Sequence, residues 1–180
     1  GIQYRPEDTP PTPQALLQPI KALLKARGFS DVKLLVEPGR SIVGNAGILM
    51  TQVQYIKYGD TRNFCIVEGG MNDLIRPALY SAWMDIVPVI ERHDVDPLVV
   101  DVVGPVCESS DFLGCARELA VKPNDWLAVL DAGAYGASMA SRYNSRALPM
   151  EILVDADHVI PLRDPENYEH LVQGERLLDL

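Results

Sequence analysis

The 180 residues carry a net charge of −9, from 16 basic and 25 acidic side chains spread without blocks, which disfavours nucleic acid and anionic membrane surfaces as partners. At 47% apolar residues the chain can bury one large or two small cores, and no apolar run is long enough to span a bilayer. Three widely spaced cysteines, Cys65, Cys107 and Cys115, argue against a disulfide framework and for a reducing, cytoplasmic compartment.

The first stretch, residues 4–13, is proline-rich and reads as a loop. Thr12 is placed to cap a helix with Pro13 in its first turn, and Leu16, Leu17, Ile20, Leu23 and Leu24 recur at helical spacing up to Gly28. Pro19 removes a backbone hydrogen bond at a cost of roughly 3 kcal/mol, so a kink, or a start nearer Gln18, is expected. The apolar run 32–36 reads as a buried strand, and a helix is expected from Ser41. Helix, loop and strand together make one unit of a parallel α/β sheet or barrel. Beyond Gly47 the texture changes to short β-rich runs at 51–58, 64–68, 98–103, 126–130 and 150–154, the last turning back as 158–161. Gly, Pro, Asn and Asp separate them, which predicts an antiparallel sheet or barrel. Helical pieces are expected near 74–80 and 138–143, and a last helix starting at Asp164-Pro165. The domain boundary falls near residues 45–52. No secretory leader is apparent, and the cysteines with His93, His158 and His170 lack zinc-ligand spacing, so no metal site is expected and the histidines read as surface or loop residues.

Four loops combine reactive side chains with glycines, each following a predicted strand. The first is Glu37-Pro38-Gly39-Arg40, between a strand end and a helix start, where free N–H groups and an arginine fork suit an anion. Taken alone, a glutamate and an arginine three residues apart are more often a local ion pair. The others are GGMNDLIRPALY at 69–80, GPVCESSD at 104–111 and DAGAYGASMA at 131–140.

In order and spacing these four stretches resemble the C-terminal part of the diaminopimelate decarboxylases, over nearly all of residues 1–155. That family are pyridoxal-phosphate enzymes built from an alanine-racemase-like (β/α)8 barrel followed by a β domain. The resemblance therefore implies an α/β plus β fold: residues 1–48 as the last part of the barrel, residues 49–180 as an antiparallel β-barrel or sandwich with a few short helices. A complete barrel takes roughly 250 residues, so its earlier strands are expected to precede Gly1. Gly1-Ile2 looks like the end of the family's glycine-rich phosphate loop.

Roles follow the same resemblance. Glu37 matches the acid beside the pyridine nitrogen, within a cofactor-binding tetrapeptide that includes Pro38, Gly39 and Arg40. Arg40 matches an arginine that meets either the cofactor phosphate or a substrate carboxylate. Arg76 and Tyr80 match a substrate-binding pair, with Arg76 on the distal carboxylate that distinguishes diaminopimelate from lysine. Cys107 and Glu108 match a pair contributed across a homodimer interface, Cys107 donating the proton to Cα after CO2 leaves and Glu108 holding the distal ammonium. Tyr135 matches a tyrosine that touches the cofactor phosphate and lies close to substrate. The Asn144-Ser145-Arg146 turn resembles a family stretch that only shapes the site, and Cys65 and Cys115 read as small buried residues.

The lysine that anchors the cofactor lies upstream in this family, and none of Lys21, Lys25, Lys33, Lys57 or Lys122 has its context. The chain by itself is therefore expected to be inactive without the upstream segment. Two rival readings remain: a relative of the same fold acting on ornithine, arginine or a carboxylated polyamine, and a binding homologue without activity.

Overall fold

The structure, a computed structural model, describes residues 1–178. Helix α1 spans Pro13–Ala26, with the Thr12 hydroxyl accepting the Ala15 N–H at 3.2 Å. It starts at Pro13 and runs through Pro19, so the later start near Gln18 is not taken. Its stripe of Leu16, Ile20 and Leu23 is exposed, and no residue of α1 is buried.

Residues 32–36 form no strand, contrary to the sequence reading. A ladder needs a neighbour, and none pairs with this run among the described residues, where Leu35 is 76% exposed. Helix α2, Gly39–Val43, begins two residues before Ser41, and a 3-10 turn at Gly44–Ala46 follows. One turn of helix sums few peptide dipoles, so the helix end adds little to an anion site there. Arg40 itself must do that work.

The sheet begins at β1, Leu49–Lys57, and continues with β2, Asn63–Val67. A short helix α3, Arg76–Tyr80, and strand β3, Ile86–Pro88, precede β4, Leu98–Val103. Strands β5, Phe112–Leu119, and β6, Trp126–Val129, complete a six-stranded sheet in the order β3-β6-β1-β2-β4-β5. The two end strands, β3 and β5, approach each other, so the sheet is nearly closed into a barrel. Every neighbouring pair is antiparallel except β2 with β4, which corrects the expectation of a purely antiparallel sheet. Parallel pairing requires a long crossover, and residues 68–97, carrying α3 and β3, provide it.

Alternate residues of the strands fill the interior: Val53 on β1, Cys65 and Val67 on β2, Val100 and Val102 on β4, with Leu113, Leu127 and Val129. Each such side chain contributes about 1.5–3 kcal/mol by leaving water. Burial pushes the Cys65 thiol up to about 12, so it stays protonated and inert. Cys115, read as buried, is instead exposed, because β5 bulges where Ala116 takes φ +50° and donates its N–H to Asp101 at 2.8 Å. Arg117, two residues on, points inward. Its Nη2 donates to the Met84 carbonyl at 2.9 Å and its Cζ lies 3.2 Å from the centre of the Trp83 ring. Burial holds its pKa below the usual arginine value.

The predicted helix at 138–143 is two separate 3-10 turns, Ala137–Met139 and Tyr143–Ser145, because Ala140 is extended, with φ −61° and ψ 148°, and ends the first turn. Strands β7, Glu151–Asp155, and β8, His158–Arg163, form a separate hairpin. The last helix, α4 at Tyr168–Val172, starts later than Asp164-Pro165. Asn167 and His170 cap each other's backbone N–H groups there, at 3.2 and 3.0 Å. Arg142 grips Glu166 with two hydrogen bonds of 2.6 and 2.9 Å and keeps that carboxyl ionised down to a pKa of about 2.

Candidate active site

Four of the residues singled out from sequence converge. Arg76 opens α3, where Pro77 in the first turn is buried and fixes the helix start. Its guanidinium carbon lies 5.7 Å from the ring centre of Tyr80, one turn along the same helix, and 5.3 Å from that of Tyr135. A third ring, that of Tyr4, lies 5.6 Å from Arg76 and 5.9 Å from Arg40. Two cations and three tyrosines therefore share one surface.

Neither guanidinium has a carboxylate within 4 Å among the described residues, so the local Glu37–Arg40 ion pair does not form. The Arg76 Nε and the Tyr4 hydroxyl are buried without a hydrogen-bond partner among those residues. A buried unpaired donor costs about 1–3 kcal/mol, so the Arg76 guanidinium is placed to receive an acceptor. Glu37 is exposed and borders a cavity of about 280 Å3 with Gly1, Leu17, Val36, Pro38 and Ser41. Larger concavities lie along the loop after β3, where Arg92 and Asp125 pair at 2.6 Å, and beside the loop that carries Tyr135, lined by Gly47, Leu74, Gly133 and Gly136.

Tyr135 reaches the cluster because its loop is bolted to the residues after α2. The Ala132 N–H donates to the Gly47 carbonyl at 2.8 Å and the Gly133 N–H to the Gly44 carbonyl at 3.0 Å. Tyr135 itself takes φ +63°, a strained conformation held by these contacts. A Cβ at Gly133 would stand 1.9 Å from the Val43 carbonyl oxygen and 2.8 Å from the Gly47 nitrogen. Backbone cannot yield that much, so Gly133→Ala is expected to cost about 3 kcal/mol or more and to pull Tyr135 off Arg76. Thermal unfolding of the variant checks this; an unchanged melting temperature would refute the joint.

Cys107 and Glu108 are exposed on the loop between β4 and β5. Glu108 accepts the Ser109 N–H at 2.8 Å and the Tyr143 hydroxyl at 3.4 Å. What fixes this loop is Asp111, 5% exposed, whose two carboxylate oxygens accept the Met71 and Val106 N–H groups at 2.6 and 2.5 Å. A side chain at Gly104 has no room, since its Cβ would stand 2.6 Å from the Cα of Gly70 and from the Asp111 carboxylate. One carboxylate thus ties the Cys107 loop to the turn that leads into Arg76.

That turn has its own brace. Asp73 accepts the Gly70 N–H and the Asn72 amide, both at 2.9 Å, and burial raises its pKa despite these bonds and nearby Arg146. Arg146 donates to the Asn72 side chain at 2.9 Å and to the Glu68 carbonyl at 2.8 Å, so the 144–146 turn does shape the site. The sequence reading gave no role to Asn72, Asp73 or Tyr4, and read Asp111 only as part of a tight loop around Cys107. A run of buried-prone small residues around Asp73 and Asp111 was the available signal; Tyr4 had none.

The profile described as pyridoxal-dependent decarboxylase, C-terminal sheet domain, matches residues 21–133. The chain belongs to the pyridoxal-dependent decarboxylases. Within that family it is 48% identical over 174 residues to the diaminopimelate decarboxylase of Aquifex aeolicus, covering 96% of this chain and 40% of the relative. It is 47% identical over 171 residues to that of Haemophilus influenzae, covering 95% and 40%. The chain spans about two fifths of the length of these curated relatives. A solved Aquifex aeolicus structure superposes with a TM-score of 0.89 at 47% identity, over 100% of this chain and 43% of that one. The diaminopimelate decarboxylase of M. jannaschii in complex with L-lysine superposes with a TM-score of 0.91 at 36% identity, over 99% and 41%. A viral arginine decarboxylase, at 17% identity and a TM-score of 0.61, shares the fold of this pyridoxal-dependent decarboxylase domain.

Proposed function

We propose that this chain is the C-terminal portion of an enzyme that decarboxylates meso-2,6-diaminopimelate to L-lysine, residues 1–48 completing a (β/α)8 barrel and 49–180 forming the β domain. The observation that carries the reading is the unpaired Arg76, ringed by three tyrosines, with Arg40 beside the same ring. Exposed apolar side chains on α1 and the 32–36 run support the barrel assignment, since they need a cover that this chain does not provide.

The residues present fit pyridoxal phosphate. The Arg40 guanidinium, with no carboxylate within 4 Å among the described residues, and the exposed Glu37 carboxylate bordering a cavity match a group with one anionic arm and one ring nitrogen to protonate. Glu37, Pro38, Gly39, Arg40 and Tyr135 would hold it. When bound, the cofactor acts as the electron sink that allows the Cα–CO2 bond to break.

Around it, this chain binds and orients. Arg76, with Tyr80 and Tyr135 fixing its plane, takes the distal carboxylate by a charge-assisted fork. Arg40 takes a second anion, of the cofactor or of the substrate. Glu108 accepts the distal ammonium, and the Cys107 thiol gives its proton to Cα once CO2 has left, then regains one from solvent. The exposure of the Cys107 loop supports its use in a second subunit's site, as a homodimer. Three free thiols support a reducing, cytoplasmic location, and among the described residues no helix is long and apolar enough to cross a membrane.

The test is CO2 release by the full-length protein from meso-diaminopimelate against ornithine. Preference for diaminopimelate is expected, because ornithine would leave the Arg76 guanidinium buried and unpaired. Preference for ornithine would overturn the substrate, and no release from either would overturn the activity.

A further inference from the structure

Tyr4 lies outside all four motifs, yet its ring lies near both Arg40 and Arg76, at 5.9 and 5.6 Å. Its placement is built. The Asp8 carboxylate accepts the N–H groups of Tyr4 and Arg5 at 3.3 and 3.0 Å, and the Gln3 amide donates to the Pro6 carbonyl at 2.8 Å, folding residues 3–8 into a turn. Arg5 then stacks on Trp83, 4.8 Å from the ring centre, and Trp83 is in turn packed on the buried Arg117. The turn is thereby clamped to the sheet domain, and Tyr4 is delivered to the two arginines.

Two guanidiniums that share a surface repel each other and, left free, splay. An aromatic quadrupole between them offsets part of that repulsion and limits the directions each can take. We propose that Tyr4 is a positioning residue for distal-carboxylate recognition, its ring holding Arg40 and Arg76 as a convergent pair. This rests on the substrate reading above. Tyr4 acts through the arginines, so its loss weakens binding of a dicarboxylate and leaves proton transfer at Cα alone.

The test uses full-length holoenzyme with Tyr4→Leu and Tyr4→Phe. In the leucine variant KM for meso-diaminopimelate is expected to rise about tenfold with kcat unchanged, and in the phenylalanine variant both stay at wild-type values, because the ring is retained. Calorimetry with pimelate, which has the two carboxylates and no amine, should show the same tenfold loss for leucine and none for phenylalanine. An unchanged melting temperature excludes general loosening as the cause. The proposal is overturned by wild-type KM and pimelate affinity in the leucine variant, by a fall in kcat alone, or by equal defects in both variants. If the wild type does not decarboxylate meso-diaminopimelate, the substrate reading fails, and the pimelate comparison still decides the role of Tyr4.

Discussion

Full-length enzyme carrying Cys107→Ala is expected to bind pyridoxal phosphate normally and to lose about two to four orders of magnitude in kcat. That is the usual range for removing a positioned general acid. The loop should survive the change, because its fold does not depend on the thiol. Asp111 holds it through the Met71 and Val106 N–H groups, and Cys107 itself is exposed with no packing role. A loss of turnover without a loss of cofactor absorbance therefore isolates chemistry from structure. Wild-type rates in the alanine variant would remove Cys107 from the mechanism, and with it the main reason to place this loop at a subunit interface. Cys107→Ser should fall between the two, since a hydroxyl donates a proton far less readily than a thiol.

The second large effect belongs to Arg76→Leu. Removing one member of a buried ion pair costs about 2–5 kcal/mol, so kcat/KM for meso-diaminopimelate should drop by about two to three orders of magnitude. The three tyrosines keep their apolar contacts with the leucine stem, so the melting temperature should move little. Discrimination is the sharper readout. If Arg76 reads the distal carboxylate, the ratio of kcat/KM for diaminopimelate to that for a substrate lacking this group collapses. An unchanged ratio would show that some other cation makes the selection.

Most strands were legible because alternation against a single core face leaves a clear period: 98–103 was placed to the residue, and 51–58 and 64–68 within two. Strand β5 was not, for it carries Gly114, an inward Arg117 and the Ala116 bulge, which together erase the apolar-polar rhythm. Strand β3 is three residues long and has no period to read. The 32–36 run shows the opposite error: local composition can favour a strand, while only a neighbouring chain segment makes one. At the site, the motif arginines and tyrosines were readable from the resemblance of their stretches to the family, but their support was not. Asp111 and Asp73 act on backbone N–H groups 40 and 3 residues away, and nothing in a one-dimensional pattern marks which amide a carboxylate will take.

The Asp111 carboxylate has a meaning for protein engineering as well. Because one side chain suspends both the thiol loop and the approach to Arg76, the two are not interchangeable modules. A loop transplanted between Val103 and Phe112 to alter the proton donor keeps the guanidinium in register only if it brings its own acceptor for the Met71 amide. Redesign of the donor and redesign of substrate selectivity are, in this fold, a single problem.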